Sequence, residues 1–155
     1  MPELIRSVVS RMRVYFRDRR QSPRLSIRLL FSVSVCRSSK GNSSHHRERV
    51  LRGHTRDIGV GGLALNVPQV HLDGHHLAAG ERELQLRLEL PGGPISMLVI
   101  PRHYERLEEA ELGCNYLIGA EISQIDEEDR GRYLGFVAQG LEGKLRASEQ
   151  NAAGR

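Results

Sequence analysis

The stretch that decides the fold class is LQLRLEL, residues 84–90. Leucine alternates with a polar or charged residue throughout, and a period of two places every leucine on one face of an extended strand. The turn sequence PGGP follows at residues 91–94, and another apolar run begins at Ile95. Two extended segments joined by a short Gly/Pro turn predict an antiparallel hairpin.

Further segments on both sides of this hairpin have the composition of strands. They cover residues 27–36, about 47–56, 62–67, 95 to about 107, and 113–122. After them, Asp126 and an acidic first turn at residues 127–129 favour the start of a helix. The apolar stripe of this helix comprises Leu134, Val137 or Ala138, Leu141 and Leu145. Short strands and one late helix predict a mostly β domain, and the residues alone leave a small antiparallel barrel and a sandwich both open.

The length of 155 residues fits one domain with its own core. We expect an N-terminal amphipathic helix or arm at residues 1–16, a main domain at residues 17–146 and a flexible tail at residues 147–155. No apolar stretch approaches the roughly 20 residues that span a bilayer, and the N-terminus lacks the features of a secretory signal. Two cysteines, Cys36 and Cys114, do not make a disulfide framework. These features predict a reduced, cytoplasmic protein.

Positive charge is concentrated in the first third of the chain. Residues 1–56 carry 14 Arg/Lys against 3 Asp/Glu, whereas residues 57–155 carry 9 against 16. Of the 23 cations 21 are arginine, whose planar fork suits phosphates and guanine edges. This asymmetry favours an anionic partner in the basic third. The predicted helix at residues 1–16 packs either on the domain or on a second copy, and its shortness and lack of Trp argue against contact with a membrane surface.

Two short motifs carry the candidate binding chemistry. The first is RRQSPR, residues 19–24, an arginine cluster directly ahead of the first strand. The second is TRDIGVGGLAL, residues 55–65, which contains one carboxylate and three glycines. A guanidinium can bind phosphate oxygens or the O6/N7 edge of guanine, and a carboxylate can accept hydrogen bonds from guanine N1–H and N2–H₂. Glycines permit a positive φ and let backbone N–H groups approach a ligand closely.

In this order the two motifs resemble those of the PilZ family, bacterial receptor domains for cyclic di-GMP. The family's first motif is RxxxR on a linker before the first strand, and Arg20 and Arg24 match it. Its second motif is D/N-x-S-x-x-G, which Asp57 and Gly62 match while Gly59 replaces the serine. The missing hydroxyl removes a hydrogen bond worth on the order of 1 kcal/mol, so we expect binding that is roughly tenfold weaker but not abolished.

The resemblance covers roughly residues 17–140. It implies a six-stranded antiparallel β-barrel with a C-terminal α-helix and a basic N-terminal helix or arm. It also implies that cyclic di-GMP is the ligand, that the arginines clamp its guanine edges and phosphates, and that Asp57 reads guanine. A protein effector is the implied partner, through which the receptor regulates motility or exopolysaccharide output. The implied ligand-binding residues are Arg19, Arg20, Arg24, Asp57, Gly59, Gly61 and Gly62.

Other classes of function are weighed against this one. Gly59 also fits a degenerate PilZ-fold protein-interaction module that does not bind nucleotide. The basic first third fits a nucleic-acid-binding β-barrel, but aromatic side chains for base stacking are sparse and none lies within residues 19–24. The seven histidines lack a zinc-type Cys/His framework, and the paired acids at 108–109 and 127–128 fall at a strand end and a helix start. We therefore expect no metal, no cofactor and no catalytic residue. A DNA or RNA partner is not favoured, and the nucleic-acid-binding β-barrel is kept as the second alternative.

Overall fold

The computed structural model describes residues 23–36 and 49–153 of the chain. The predicted helix at residues 1–16 and the linker at residues 17–22 lie outside the described residues. The helix α1 comprises Glu127–Ala153. The strands are β1 Leu25–Ser26, β2 Leu30–Val35, β3 Leu51–Ile58, β4 Gly62–Val67, β5 His71–Leu72, β6 His75–His76, β7 Leu84–Leu90, β8 Gly93–Glu111 and β9 Cys114–Gln124.

Six of these strands close into an antiparallel barrel. Their order is β3-β2-β7-β8-β9-β4, and β4 returns to pair with β3. The short strand β1 joins the end of β3, where Leu25 lies opposite Ile58 and Ser26 opposite Asp57. The predicted six-stranded barrel with a C-terminal helix is confirmed, and the pairing of β4 with β3 excludes two separate stacked sheets.

The alternation of the strands explains the position of the core. The four leucines of β7 are buried and the three polar residues between them are exposed, as the quoted sequence predicts. Each fully buried leucine or isoleucine side chain contributes about 2 kcal/mol relative to exposure. The apolar side chains with the least exposure in the barrel strands are Val33, Ile58, Leu63, Leu65, Val67, Leu84, Leu86, Leu88, Ile95, Val99 and Ile118.

Four of the predicted strands have different bounds in the structure. The strand predicted at residues 27–36 is Leu30–Val35, and the strand predicted at residues 113–122 is Cys114–Gln124. The strand predicted at about 47–56 begins at Leu51 and continues to Ile58. Asp57 lies just beyond the predicted strand but belongs to β3, because β1 pairs with it on one side and β4 on the other. The strand predicted to end near residue 107 runs on to Glu111, because β9 continues to pair with it down to Cys114.

Helix α1 packs one face against the barrel. Tyr133 and Val137 are fully buried there, Leu134 and Leu141 are partly buried, and Leu145 is 64% exposed. Asp126 caps the helix as predicted, since its Oδ1 accepts a hydrogen bond of 2.8 Å from the N–H of Asp129. The helix reaches Ala153 and so includes residues 147–153, which the sequence predicted as tail; the Ala, Glu and Gln in this segment are good helix formers.

Candidate functional site

An ion pair between Arg24 and Asp57 forms the centre of the candidate site. Nη1 of Arg24 donates a hydrogen bond of 2.6 Å to Oδ1 of Asp57. The Arg24 side chain is 48% exposed and that of Asp57 is 21% exposed. A ligand arriving from solvent can therefore contact both charged groups.

The pairing of β1 with β3 brings these two charges together across 33 positions of the chain. Ser26 lies opposite Asp57, and Arg24 directly precedes β1. The buried hydroxyl of Thr55 fixes the following segment, because it accepts a bond of 2.9 Å from the N–H of Leu29 and donates one of 2.7 Å to the carbonyl of Ile27. The arginine-bearing segment is thus fastened along β3, and Arg24 is held beside Asp57.

The glycine-rich turn after β3 lies directly beside this ion pair. The N–H of Gly59 donates to the carbonyl of Gly62 at 2.9 Å, and the carbonyl of Gly61 accepts from the N–H of Ile122 at 2.9 Å. A Cβ added at Gly62 would lie 2.6 Å from the backbone oxygen of Ala120. Gly62 is therefore required for the close approach of β4 to β9.

The glycines of this turn do not have the backbone conformation that the sequence suggested. Neither Gly59 nor Gly62 has a positive φ. The expectation that they supply a left-handed conformation is wrong for these two positions. Close packing explains Gly62, and an added Cβ at Gly59 would meet its neighbours only at ordinary contact distances of 3.5–3.7 Å.

Arg24 extends over the turn. Its Cγ lies 3.5 Å from the position of a Cβ at Gly59, and its Nη2 lies 3.5 Å from that of a Cβ at Gly62. One guanidinium nitrogen thus faces Asp57 while the other lies above the start of β4. The arginine, the carboxylate and the glycine backbone together form one polar surface at the end of the β3–β4 hairpin.

Tyr133 of helix α1 supports this surface from the interior. Its hydroxyl donates a hydrogen bond of 2.5 Å to the carbonyl of Gly59, and its side chain is 1% exposed. Burial raises the pKa of Tyr133, so the phenol keeps the proton that it donates. The turn is therefore held by the C-terminal helix as well as by strand pairing.

Two more contacts join α1 to the segment that follows Arg24. The side chain of Leu25 occupies the space that a Cβ at Gly140 would take. Nζ of Lys144 donates a hydrogen bond of 3.2 Å to the carbonyl of Ser26. Both halves of the candidate site are thus attached to the same helix.

The structure brings most of the predicted site residues together. Arg24 lies directly before β1 and Asp57 lies on β3. Gly59 and Gly61 lie in the turn between β3 and β4, and Gly62 is the first residue of β4. Arg19 and Arg20 lie outside the described residues, so their part in the site stays a prediction.

Sequence reasoning did not find Tyr133. It precedes the predicted face residue Val137 by four positions, and this helical spacing could have placed it on the buried face. Its aromatic ring alone gave no sign of the hydroxyl's partner, because Gly59 is 74 positions away in the chain.

Two negative observations concern the described part of the chain. Within residues 23–36 and 49–153 there is no group of three or more His, Cys, Asp or Glu side chains that could hold a metal ion. No helix in the same ranges is long and apolar enough to cross a membrane.

Comparison with known proteins gives a match over most of the chain. The family model of the PilZ domain matches residues 18–139. Among curated protein sequences, none matches this chain significantly. The PilZ domain of YcgR from Escherichia coli, solved with c-di-GMP, is 12% identical with a TM-score of 0.57, over 86% of this chain and 98% of that one.

Two longer proteins have a similar fold in part of their length. The Bacillus subtilis inhibitor of motility MotI/DgrA is 21% identical with a TM-score of 0.57, over 82% of this chain and 53% of that one. The Borreliella burgdorferi PlzA protein, solved in complex with c-di-GMP, is 14% identical with a TM-score of 0.54, over 90% of this chain and 58% of that one. The chain thus spans little more than half the length of these two proteins, and at such identities the likeness is one of fold.

Proposed function

Because the chain belongs to the PilZ domain family, we propose that it is a receptor or adaptor for cyclic di-GMP. One observation carries this proposal. Arg24 and Asp57 meet at 2.6 Å beside the glycine turn, in the order and placement of the two family motifs. The YcgR PilZ domain and PlzA, which share the fold, were both solved with this dinucleotide.

In the proposed complex, Arg24 binds a phosphate or the O6/N7 edge of a guanine, and Asp57 accepts from guanine N1–H and N2–H₂. Arg19 and Arg20 complete the cluster that neutralises the two phosphates. Each of these contacts requires the bond between Arg24 and Asp57 to break and be replaced by bonds to the ligand. A partly exposed ion pair contributes only about 0–1 kcal/mol, so this exchange costs little.

The selectivity of the proposed site comes from the carboxylate. Adenine offers no donor at N1 and none at position 2, so Asp57 would face acceptors or a carbon atom in a cyclic di-AMP complex. A carboxylate left without a donor loses the hydrogen bonds that it makes to water. We therefore expect the guanine dinucleotide to bind in preference to the adenine one.

The proposed output is a change of contacts with a protein partner that acts in motility or exopolysaccharide production. The likeness in fold to a protein described as an inhibitor of motility supports the first of these. The proposal places the protein in the cytoplasm and assigns it no catalytic step.

Calorimetric titration of the full chain with cyclic di-GMP tests the proposal, with GTP and cyclic di-AMP as competitors. We expect a dissociation constant of about micromolar for the parent. The variants Arg24→Ala and Asp57→Ala should each bind at least roughly tenfold more weakly, because each removes a charge-assisted bond. Arg28→Ala is the matched control, since Arg28 is an exposed arginine four positions further that makes no bond to Asp57. Equal binding by all four proteins would refute the site.

A second candidate is a PilZ-fold interaction module that works without nucleotide. Gly59 in place of the motif serine favours it, because the turn then lacks a hydroxyl for a ligand. This candidate predicts no heat with cyclic di-GMP at saturating concentration and an unchanged melting temperature.

A further inference from the structure

The outer face of the barrel carries a groove that the candidate site does not use. It has a volume of about 740 Å³ and runs across β3, β2, β7 and the start of β8. The strand registers place Arg52, Ser32, Arg87 and Ser96 side by side in one row. Since neighbouring strands lie about 4.8 Å apart, the two arginines stand roughly 10 Å apart with a serine between them. The floor of the groove thus offers cations and hydroxyl donors to an anionic occupant.

Two exposed aliphatic side chains line the same groove. Leu30 is 67% exposed and Val50 is 46% exposed. Glu89 is the single carboxylate among the described lining residues, and its Oε1 lies 3.5 Å from Nε of Arg87 in an exposed pair that contributes little. An occupant that suits this surface carries carboxylates and apolar side chains close together.

The chain itself has such a segment, which we name the acidic bulge, residues 107–112 of β8 and its turn. The β8–β9 register jumps there from Arg106 opposite Tyr116 to Glu111 opposite Cys114. The bulge contains Glu108, Glu109 and Glu111 and no cation. All three glutamates are exposed, and Leu112 at the tip is 70% exposed.

The acidic bulge and the groove border one another on the barrel surface. Oε2 of Glu111 accepts a hydrogen bond of 3.5 Å from Nδ2 of Asn66, and Sγ of Cys114 lies 3.9 Å from Nδ1 of His54. His54 is the register partner of Leu30, which lines the groove. Among the described residues, no ion pair joins the bulge to the groove of the same chain. A basic, apolar groove beside an acidic, apolar protrusion is a surface complementary to its own copy.

We propose that this face is a homodimer interface, in which the acidic bulge of each protomer enters the Arg52–Arg87 groove of the other. A two-fold axis between the protomers satisfies both contacts at once and closes the assembly. Glu108 and Glu109 then face the two arginines, and Leu112 covers the aliphatic edge of the groove. The inference is independent of nucleotide binding.

Sedimentation velocity on the full chain tests the interface. At about 50 mM salt, where the Debye length exceeds 10 Å, we expect a species of twice the 17.4 kDa chain mass, and we expect it to weaken at about 500 mM salt. The reversals R52E/R87E and E108R/E109R should each weaken the dimer at least about a hundredfold, because like charges then face each other. The control R130E/R146E makes the same change of net charge as R52E/R87E, at exposed positions of α1, and should leave the dimer intact.

An equimolar mixture of R52E/R87E and E108R/E109R provides the most direct test of the interface. Each groove then faces a bulge of opposite charge, so an equimolar mixture should recover the dimer that neither variant forms alone. E108Q/E109Q, which keeps the side-chain size, should weaken the dimer roughly tenfold and serves if a reversal does not fold. A parent that stays monomeric at low salt overturns the proposal. So does a dimer that ignores the reversals, or a mixture of folded variants that does not recover it.

Discussion

Replacing Gly59 by serine restores the one motif position at which this chain departs from the PilZ pattern, and the structure has room for the added Cβ. An added Cβ lies 3.5 Å from Cγ of Arg24 and 3.7 Å from the backbone oxygens of Pro23 and Gly62, which are ordinary contacts. Gly59 does not have a positive φ, so serine adopts its backbone without strain. One hydroxyl beside Arg24 adds a hydrogen bond of about 1 kcal/mol, and Gly59→Ser should tighten cyclic di-GMP binding roughly fivefold to tenfold.

Gly59→Ala separates the hydroxyl from the backbone effect. Both substitutions reduce the freedom of the unfolded chain and should raise the free energy of unfolding by about 0.4–1 kcal/mol. Only serine should improve binding, which titration calorimetry and urea denaturation of the three proteins measure side by side. If serine and alanine change the affinity equally, or if serine weakens it, then the hydroxyl does not face the ligand and the assignment of this turn is incorrect. If the parent does not bind and Gly59→Ser does, the parent is the nucleotide-independent module.

Further substitutions test the packing of the site and of the barrel through their effect on stability. Gly62→Ala should lower the free energy of unfolding by about 1–3 kcal/mol, because its Cβ would lie 2.6 Å from a backbone oxygen of β9, whereas Gly143→Ala in open space should stabilise the protein; thermal melts compare the two. Tyr133→Phe should cost about 1–2 kcal/mol by leaving the Gly59 carbonyl without its donor. Burial raises the pKa of Tyr133, so the phenol ionises in the unfolded chain first and the parent loses stability above pH 10. Denaturation at increasing pH should show a smaller loss for Tyr133→Phe, which has no phenol to ionise. Burial also lowers the pKa of His54, so the unfolded chain takes up the proton first as the pH decreases. The free energy of unfolding of the parent should therefore decrease at pH values below 6.5, and acid denaturation curves should show a smaller decrease for His54→Gln.

The alternation of single strands was readable from the sequence, but their closure into a barrel was not. The β7 segment LQLRLEL has the predicted boundaries, and every second residue in it is a leucine that faces the core. The β4 segment at residues 62–67 also has the predicted boundaries, but all six of its residues are buried. A hydrophobic period of two residues indicates which face of a strand is buried, but it does not indicate which strands lie next to it in the sheet. The family resemblance alone implied closure into a six-stranded barrel, and the pairings of β2 with β7 and of β4 with β3 were not predicted.

Some parts of the candidate site could likewise be predicted from the sequence, and others depend on the fold. Arg24 and Asp57 could be named because their residue types and order match a known pattern, although the 2.6 Å contact between them depends on the β1–β3 register. Gly62 was named for the wrong physical reason, since a close approach to Ala120 and not a positive φ requires a glycine there. The hydrogen bond from Tyr133 depends on how α1 docks, which no local pattern records.

The docking of α1 determines how a ligand at this site would act on the rest of the molecule. Tyr133 holds the turn by its hydrogen bond to the Gly59 carbonyl. The segment after Arg24 is attached to α1 because the side chain of Leu25 packs against Gly140. We expect a ligand that draws Arg24 away from Asp57 to change the position of one of these attachments relative to the other. Because packed elements respond by shifting as units, the first structural response expected is a movement of α1 against the barrel. Hydrogen exchange along α1, with and without cyclic di-GMP, should therefore change in the parent and change less in Tyr133→Phe, where one of the two attachments is absent.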